Sequence, residues 1–395
     1  MKTNELAHAI AQETIDYRRD IHRHPEPSME EFRTTDRICE ELDKLGVSYK
    51  RMKPTGVIAE IKGTKGESDK IVMIRGDIDA LSIAEKTDLP FKSVNEGFMH
   101  ACGHDTHNAM LLGAVKVVNQ MRDEFAGTVR FVFQPGEEVA LGAKAMLDQG
   151  CMDGVGYAFG VHISPTLPCG SVSGMAGSSY AATDWFKIKI KGKTAHGADP
   201  KNGIDAAVAG SAVVMALQTM VSREFDPADP VVVTVGSIHS GSRFNIIPGE
   251  CNIEGTCRMY SPEIHKDIDK VMKRIVENTA AAYRCTAEVE YNKLLEACAN
   301  NEEAFELGKA SAEKVAPGKF IPGTPTMGGE DFGWYTTTDA KCAFFSLGAR
   351  WPDESKICSL HHESVLFDES ALETGVAFYA QVAIDALDKM NKEYN

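Results

Sequence analysis

Side chains that can bind a metal ion or transfer a proton are concentrated in five short segments of the chain. The segments are RGDIDAL (75–81), HACGHDTH (100–107), QPGEE (134–138), GVHIS (160–164) and SLHHES (359–364). Cys102 and His104 are two residues apart, a spacing that in an extended turn can direct a thiolate and an imidazole at one ion. Glu137 and Glu138 are adjacent, so one could bind a metal while the other takes a proton from water. The five segments therefore indicate metal-assisted acid–base chemistry.

Each of these signals also has a structural explanation when it is taken alone. A buried cysteine beside a surface histidine gives the same Cys-x-His pattern, two acids can simply open the next helix, and His162 can be hydrogen-bonded at a strand end. The thiolate, imidazoles and carboxylates, however, follow predicted strands at what would be one side of a parallel sheet. We therefore predict that they converge on one site, and that Asp77 and Asp79 are among the acids whose counter-ions are metals.

Short apolar runs alternate with helix-like segments and must position these side chains. The predicted strands are Val57–Ile61, Ile71–Ile74, Val129–Phe133, Ala158–Val161 and Ala343–Leu347. The predicted helices are Asn4–Asp20, Thr34–Leu45, Asn108–Met121, Gly142–Gln149 and Glu369–Met390. This alternation predicts an α/β fold with a mainly parallel sheet and helices on both faces, and ligands bind beyond the carboxyl ends of such strands.

The pattern changes from about Trp185. The segment FKIKIKG (186–192) alternates apolar and basic residues, which is typical of a sheet with one face in water. A helix at 203–221, strands PVVVTVGSI (230–238) and GECNIEGTCRMY (249–260), a helix Pro262–Tyr283 and a strand AEVEYN (287–292) follow. The order β-α-β-β-α-β predicts an α+β, ferredoxin-like insert. We therefore expect a catalytic domain at 1–182 and 295–395, and an inserted domain at 183–294.

Composition and charge restrict the partners of the protein. Its 395 residues include 42 Lys and Arg against 57 Asp and Glu, a formal net charge of −15, which argues against nonspecific binding to nucleic acid or to an anionic membrane. The N-terminal segment lacks the apolar run of a signal peptide, and the apolar stretch Ala206–Val221 is interrupted by polar residues, so no membrane span is expected. Ten scattered cysteines are typical of reduced thiols. These features predict a cytoplasmic protein.

Ten segments, in one order along almost the whole chain, carry a family resemblance. They are RRDIHRHPEPSMEE (18–31), RGDIDAL, MHACGHDTHNAMLLGA (99–114), FQPGEE, GVHISP, KTAHGADPKNGIDA (193–206), FNIIPGE (244–250), GTCRMY (255–260), GGEDFGWY (328–335) and LHHESVLFDESAL (360–372). The chain resembles the aminoacylase/carboxypeptidase G family of co-catalytic metallohydrolases, in particular its branch of hippurate hydrolases and indole-3-acetyl-amino-acid hydrolases. MHACGHD together with QPGEE would already suffice for this resemblance.

The resemblance implies roles for individual residues of the first domain. Five side chains correspond to the ligands of a pair of divalent ions: Cys102, His104, Glu138, His162 and His361. Glu137 corresponds to the general base that deprotonates a bridging water and then protonates the leaving amine. Asp79 corresponds to an acid that orients a ligand. Zinc, manganese, cobalt and nickel are all compatible with such a mixed ligand set.

The resemblance also implies that the insert is a lid and dimerisation domain. His196 corresponds to a residue that reaches the partner subunit's site and stabilises the oxyanion. Asn245 and Arg258 correspond to positions that hold the substrate carboxylate, for which the fork of an arginine is suited. Gly329 lies in a segment expected to bind substrate. A homodimer through the lid, or a tetramer built from it, is therefore expected.

The expected function is metal-dependent hydrolysis of a small N-acyl-L-amino acid, hippurate-like or N-acetylated, to a carboxylate and a free amino acid. The alternatives are a dipeptidase or carboxypeptidase of the same family, a cysteine hydrolase with Cys102 as nucleophile and His104 or His107 as base, and a non-catalytic binding protein. Departures from the branch pattern at RGDIDALS, GGEDF and His362–Glu363 leave the identity of the substrate open. Structural or supporting roles are expected for His24, Glu31, Asp105, His107, Glu330 and Asp331.

Overall fold

The computed structural model describes residues 1–393, which form two compact units. The first unit contains residues 1–179, residues 299–324 and the chain from Trp334 onward, and the second contains residues 180–298 and 325–333. The sequence predicts domain boundaries after residue 182 and before residue 295. In the structure the corresponding changes of unit fall after residue 179 and after residue 298. Each unit has its own hydrophobic core.

The short segment 325–333 is an exception to the predicted boundaries. The sequence predicts it to be part of the catalytic domain, whereas in the structure it groups with the second unit. Its backbone explains the grouping, because Thr326 forms a β-bridge with Tyr180 and the Gly328 carbonyl accepts a hydrogen bond from the Ala181 amide at 3.0 Å. Such long-range backbone pairing has no local signature in the sequence.

Strands and helices alternate along the described chain. The strands are β1 (Ser48–Arg51), β2 (Val57–Lys62), β3 (Ile71–Asp77), β4 (Thr128–Gln134), β5 (Val155–Ser164), β6 (Val172–Gly174), β7 (Gly177–Tyr180), β8 (Ala182–Lys191), β9 (Ala195–His196), β10 (Val231–Ser240), β11 (Ile246–Ile247), β12 (Glu250–Met259), β13 (Thr286–Leu295), β14 (Cys298–Asn300), β15 (Phe320–Pro322) and β16 (Lys341–Gly348). The α-helices are α1 (Lys2–Ala9), α2 (Ala11–Arg23), α3 (Phe32–Leu45), α4 (His104–Gln120), α5 (Gly142–Leu147), α6 (Ala206–Thr219), α7 (Pro262–Ala282), α8 (Glu302–Val315), α9 (Gly333–Thr336) and α10 (Ala371–Lys392).

The first unit is built on a sheet whose strands, within the described residues, follow the order β1-β2-β4-β3-β5-β16-β6-β15. Strands β4, β3, β5 and β16 form a parallel core. The pairs β1–β2, β2–β4 and β16–β6 are antiparallel. The α/β class and the mainly parallel sheet predicted from the sequence are confirmed.

The core strands are buried on both faces of this sheet. Every residue from Val72 to Asp77 and from Val129 to Gln134 is buried, and consecutive side chains of a strand point to opposite faces. Helices α4 and α10 contribute to the cover, since both contact β3 and β5. Because the core strands are parallel, the residues that follow β3, β4, β5 and β16 leave the sheet at the same edge.

Helix α4 begins four residues earlier than the sequence predicts. It starts at His104 rather than at Asn108, directly after Gly103, which has a φ of +84°. A Cβ at Gly103 would lie 2.4 Å from a side-chain carbon of Ile163, so this close turn requires glycine. Cys102 therefore lies in a turn and His104 in the first turn of the helix, rather than together in an extended turn.

The N-terminal helix differs in a similar way. The predicted helix Asn4–Asp20 is two helices, α1 and α2, that meet at Ile10, whose amide donates to the Ala7 carbonyl at 3.3 Å. The stop predicted at Gly46 is observed, since this residue ends α3 with a φ of +63°. A glycine stop is readable from the sequence, whereas an interruption at an ordinary residue such as Ile10 is not.

The second unit has the predicted order β-α-β-β-α-β. Its sheet has the strand order β10-β12-β8-β13, and each neighbouring pair is antiparallel. Helix α6 lies between β8 and β10 in the chain, and α7 lies between β12 and β13. Ile188 and Ile190 of β8 are buried, while Lys187, Lys189 and Lys191 are exposed. The alternation in the sequence thus separates a core face from a solvent face.

Helix α6 has apolar residues on two faces. By length and composition alone, the helical stretch Ala206–Glu224 is long and apolar enough to cross a membrane, which differs from the expectation from sequence. Ala209, Val213 and Leu217 lie in the core of the second unit. Met215, in contrast, is 71% exposed. The apolar composition therefore reflects a core face together with an exposed apolar face.

A buried histidine links α7 to the sheet of the second unit. His265 Nε2 lies 2.9 Å from Asp184 Oδ1, and its Nδ1 lies 2.9 Å from Glu296 Oε2. The Tyr291 hydroxyl donates to the other Asp184 oxygen at 2.6 Å. Burial alone would lower the pKa of His265, but the two carboxylates raise this pKa to about 9. His265 is therefore an imidazolium at neutral pH.

The stability of the protein should fall when His265 loses its proton. Because its folded pKa of about 9 exceeds the ordinary value of 6.5, its ion pairs stabilise the fold fully below about pH 6.5 and stop doing so as the pH rises through about 9. We expect the wild-type advantage in unfolding free energy over His265→Gln to shrink by roughly 2–3 kcal/mol across this range. Urea unfolding at several pH values measures it. His239→Gln, at an exposed histidine of the same unit, is the control, and an advantage independent of pH would contradict the prediction.

Candidate metal centre

Three of the predicted ligands meet at the edge where β5 and β16 end. Cys102 Sγ lies 3.3 Å from Nε2 of His162 and 3.3 Å from Nε2 of His361. Cys102 and His162 are buried, and about half of the His361 side chain is exposed, at 53%. The His361 amide donates to the Ala101 carbonyl at 3.0 Å, which ties the loop after β16 to the turn before α4. The fold thus joins side chains up to 259 positions apart.

Hydrogen bonds determine which ring nitrogens face the cluster. His162 Nδ1 lies 2.7 Å from the Ile163 carbonyl, which can only accept, so Nδ1 carries the proton and Nε2 presents a lone pair. His104 Nδ1 lies 3.0 Å from Asp79 Oδ1. A carboxylate that accepts from one ring nitrogen of a histidine leaves the other nitrogen free to bind a metal. Both rings are therefore oriented as metal ligands require.

Asp79 is held in turn by Ser28 and by the loop that carries the paired acids. The Ser28 hydroxyl donates to Asp79 Oδ2 at 2.6 Å, and the Glu138 amide donates to the same oxygen at 3.0 Å. Glu138 Oε1 lies 3.5 Å from His361 Nε2 and 3.9 Å from His104 Nε2. Asp79 therefore orients His104 and also fixes the backbone beside the Glu138 carboxylate.

Glu137 lies beside the same group of atoms. Ligand atoms of His104, Glu137 and Glu138 all lie within 4.8 Å of one another. The turn before the two acids depends on Gly136, which has a φ of +62°, and a Cβ at this position would lie 2.3 Å from the Met29 sulfur. The sequence correctly indicates that the strand ends at this turn, and the turn places both carboxylates at the cluster.

Burial dominates the electrostatics of the cluster. Burial raises the pKa of the Cys102 thiol well above its usual value, and it also raises the pKa of Glu138. Burial lowers the pKa of His162 well below its usual value. Burial would lower the pKa of His104 as well, but Asp77 and other anionic neighbours hold this pKa well above 6.5. Thiolate and carboxylates in this pocket are costly without a cation, which a divalent metal would supply.

The donor set fits a pair of divalent ions. His104 Nε2 and Glu138 Oε1 are buried and have no hydrogen-bond partner among residues 1–393. Ligand atoms of Cys102, His104 and His162 form one group within 4.8 Å, and those of Cys102, Glu138 and His361 form another. Sulfur, nitrogen and oxygen donors in such groups suit zinc and neighbouring transition metals.

Asp77 has a different counter-ion from the one expected. Its Oδ2 accepts a hydrogen bond from Arg75 Nη1 at 2.6 Å, and its Oδ1 lies 2.5 Å from His107 Nδ1. Burial opposes its ionisation, but the Arg75 guanidinium and two imidazoles hold the pKa of Asp77 well below its usual value. The expectation of a metal counter-ion is not met here, because Arg75 already supplies the positive charge.

Arg75 and its partner Gln134 are functional residues that the sequence pattern did not predict. Arg75 Nε donates to Gln134 Oε1 at 2.8 Å, and both side chains are fully buried. The available signal was a single cationic residue within the otherwise buried strand IVMIRGD (71–77). A buried guanidinium requires a carboxylate partner, so this residue could have been paired with the acid two positions later.

The remaining predicted site residues lie in the second unit. His196 and Asn245 are exposed and adjacent, since β9 pairs with β11 and the Gly197 amide donates to the Asn245 carbonyl at 2.8 Å. Arg258 is half-buried on β12, and its guanidinium donates to the Thr256 hydroxyl and to the Cys257 carbonyl. The structure therefore gathers His196 and Asn245 in one corner of this unit.

Gly329 lies close to Arg258 in the second unit. A Cβ at Gly329 would lie 2.8 Å from the Thr183 hydroxyl oxygen and 2.7 Å from a side-chain carbon of Leu295. Thr183 is the cross-strand partner of Arg258. Glycine thus permits the segment 325–333 to approach the strand beside Arg258.

A mainly parallel α/β sheet that gathers a thiol, imidazoles and carboxylates at one edge defines a metal-dependent hydrolase. Residues 73–385 match the family model described as Peptidase family M20/M25/M40. The chain belongs to this family, and it is a metal-dependent amide hydrolase. The predicted resemblance to the aminoacylase/carboxypeptidase G metallohydrolases is confirmed.

The similarity extends over both units. N-acetylcysteine deacetylase from Bacillus subtilis strain 168 is 37% identical over 379 residues, which cover 95% of this chain and 97% of that protein. IAA-amino acid hydrolase ILR1-like 2 from Arabidopsis thaliana is 36% identical over 397 residues, which cover 98% of this chain and 89% of that protein. The crystal structure of the Bacillus subtilis YXEP protein, described as a dinuclear metal binding peptidase from the M20 family, is 34% identical with a TM-score of 0.85, and the match covers 96% of this chain and 99% of that chain.

Proposed function

We propose that this enzyme hydrolyses N-acyl-L-amino acids, N-acetylated or hippurate-like, to a carboxylate and a free amino acid. The observation that carries the proposal is the position of Glu137, whose carboxylate lies within 4.8 Å of ligand atoms of His104 and Glu138. A carboxylate beside a metal centre can take a proton from water. The names of the two relatives, an N-acetylcysteine deacetylase and an IAA-amino acid hydrolase, describe acylated amino acids.

The chain supplies both the ligands and the proton carrier of this reaction. The proposed ligands of the two ions are Cys102, His104, Glu138, His162 and His361. The ions, from among zinc, manganese, cobalt and nickel, would lower the pKa of a water molecule and polarise the amide carbonyl. Glu137 takes the proton of the attacking water and delivers it to the leaving amine. Asp79 keeps His104 in the tautomer that presents Nε2 to the centre.

The second unit is proposed to bind the amino-acid end of the substrate. Arg258 offers two parallel donors to the substrate carboxylate, and Asn245 donates from its amide. Gly329 is proposed to contact the substrate through its backbone, since a Cβ there would lie 2.8 Å from the Thr183 hydroxyl oxygen and would push the segment away from the strand beside Arg258. His196 is proposed to stabilise the oxyanion of the tetrahedral intermediate.

The cysteine-hydrolase alternative is disfavoured by the environment of its nucleophile. Burial raises the pKa of the Cys102 thiol well above its usual value, and Glu138 and Glu137 add to that shift. Reactive cysteines have a lowered pKa and lie in electropositive, accessible surroundings. Cys102 is instead buried among histidines and acids, as a metal ligand would be.

A metal-supplemented hydrolysis screen tests the proposal. The protein is stripped with a chelator and reloaded separately with Zn²⁺, Mn²⁺, Co²⁺ or Ni²⁺, and is then offered N-acetyl amino acids, N-benzoyl amino acids and dipeptides. We expect turnover of acylated amino acids after reloading and none before it. The control substrates are the matching N-acyl amino acid amides, which keep the acyl group but lack the carboxylate. Hydrolysis of dipeptides alone would assign the chain to the dipeptidases or carboxypeptidases, and unchanged activity without metal would contradict the mechanism.

We also propose a homodimer formed through the second unit. Val208 and Met215 of α6 are 50% and 71% exposed, and Val232 and Ile238 are exposed on the edge strand β10. A long apolar edge strand beside an apolar helix face is a surface that a second copy can cover by strand pairing. Sedimentation equilibrium measures the state of assembly, and a monomer at micromolar concentration would contradict the proposal. A tetramer would require a further contact between dimers.

The dimer predicts complementation between two inactive variants. If His196 acts in the partner subunit's site, His196→Ala and Glu137→Gln subunits should form mixed dimers in which one site has both residues. Random mixing would then restore about one quarter of the wild-type rate, whereas each variant alone is nearly inactive. Co-refolding or co-expression, followed by a rate assay, measures the recovery. No recovery from a verified mixed dimer would place His196 in its own subunit's site.

A cytoplasmic location is proposed as well. All ten cysteines are free thiols, which is typical of a reducing compartment. Fractionation of cells that produce the tagged chain tests this location, and recovery in a secreted or membrane fraction would contradict it.

A further inference from the structure

His107 is a buried histidine whose two ring nitrogens are both engaged. The Ile163 amide donates to His107 Nε2 at 2.7 Å. A backbone amide can only donate, so Nε2 must carry the lone pair and Nδ1 must carry the proton. That proton is directed at Asp77, whose Oδ1 lies 2.5 Å from Nδ1. The hydrogen bonds therefore select a single neutral tautomer of His107.

The chain of hydrogen bonds continues from Asp77 across the sheet. Arg75 Nη1 donates to Asp77 Oδ2 at 2.6 Å, and Arg75 Nε donates to Gln134 Oε1 at 2.8 Å. The Tyr335 hydroxyl donates to the same Gln134 oxygen at 2.8 Å. All of these side chains are buried. Strands β3 and β4 are thus connected through His107 to the first turn of α4.

The other end of this chain of hydrogen bonds reaches His162, a proposed metal ligand. Ile163 directly follows His162, and its carbonyl accepts the Nδ1–H of the His162 ring at 2.7 Å. The Ile163 residue is therefore held at its amide by His107 and at its carbonyl by His162. The two imidazole rings are 4.7 Å apart between centroids and nearly perpendicular. This arrangement fixes the orientation of the His162 ring, whose Nε2 lies 3.3 Å from Cys102 Sγ.

We infer that His107 is a positioning residue that holds His162 in place for the metal centre, and that it is not itself a ligand. Asp77, His104 and His107 have ligand atoms close enough to hold a cation, but both nitrogens of His107 already have partners. The Arg75 guanidinium also lies 2.6 Å from Asp77 and would repel a cation there. The geometry therefore excludes a third metal site in this group. The inference rests on the proposed metal centre.

Metal binding to three variants tests this role. In His107→Phe both hydrogen bonds are lost while a ring remains, whereas His107→Gln retains an acceptor and a donor. His100→Phe is the matched control, because His100 is also buried and its ring nitrogens have no partner among the described residues. Competition with a chelator gives the affinity for Zn²⁺, metal analysis gives the number of ions at saturation, and Co²⁺ reloading gives the thiolate charge-transfer band.

We expect His107→Phe to weaken Zn²⁺ binding by about 10–100-fold, to retain two ions at saturation and to keep the Co²⁺ band. His107→Gln should recover part of the affinity, and His100→Phe should bind as the wild type does. A saturating content of one ion would make His107 a ligand, and an affinity unchanged in His107→Phe, or lowered equally in His100→Phe, would also overturn the inference. If the wild type itself bound no metal, the proposed metal centre would fail instead.

Discussion

Replacement of Glu137 by Gln is expected to lower kcat by about 10²–10⁴-fold while two metal ions remain bound. Gln has nearly the same shape as Glu but cannot accept a proton at neutral pH, so only the proposed proton transfer is lost. KM should change little, because the substrate carboxylate is proposed to bind Arg258. Steady-state kinetics with an N-acetyl amino acid and metal analysis of the same sample measure both quantities.

Glu138→Gln is the matched control for this prediction. Glu138 is the neighbouring residue, but its Oε1 lies 3.5 Å from His361 Nε2 and has no hydrogen-bond partner in the described chain. This variant should lose metal and activity together and regain part of its activity with excess metal. A Glu137→Gln enzyme with a near-normal kcat would remove Glu137 from its role as the base. Loss of metal comparable to that of Glu138→Gln would make Glu137 a ligand.

The turn that carries these two acids shows how far the sequence predicts the site. The segment QPGEE correctly indicates the end of β4, and Gly136 adopts the positive φ of +62° that glycine permits. The Gly136 amide also donates to Glu31 Oε1 at 2.9 Å, a contact across 105 positions that no local pattern shows. Local residues therefore predict where the strand ends, and tertiary contacts decide where the carboxylates point.

The partners of buried charges were the least predictable feature of the site. Asp77 and Asp79 are two residues apart on the same segment and look equivalent in the sequence. In the structure Asp79 accepts from His104, whereas Asp77 is neutralised by Arg75. Which charge a buried acid meets depends on strand register and on the first turn of α4. The residue types therefore predicted the chemistry, while the separate roles of the two acids required the fold.

Replacement of Cys102 by Ala is expected to weaken metal binding by more than about 100-fold and to abolish hydrolysis. Sγ lies 3.3 Å from both His162 Nε2 and His361 Nε2, and it belongs to two of the groups of ligand atoms. Loss of a residue that only supports a ligand typically costs 10–100-fold in affinity, so loss of the shared ligand itself should cost more. Metal analysis and chelator competition measure the change.

Cys39→Ala is the control for loss of a buried thiol. Cys39 lies in α3, is 4% exposed and is not among the grouped ligand atoms, so both ions and the rate should be retained. Bound metal should also protect Cys102 from alkylation, which peptide mass spectrometry measures with and without chelator. A Cys102→Ala protein that keeps two ions but loses all activity would instead favour the nucleophile role.

Cys102→Asp separates the charge of the ligand from its softness. A carboxylate restores the negative charge near His162 and His361, but oxygen is a harder donor than sulfur and suits manganese better than zinc. We therefore expect Cys102→Asp to regain part of the lost activity with Mn²⁺ and less with Zn²⁺, relative to Cys102→Ala. A nucleophilic role of residue 102 would not make the recovery depend on which metal is added. A metal-selective recovery would therefore identify Cys102 as a ligand. Equal failure with every metal would contradict this prediction.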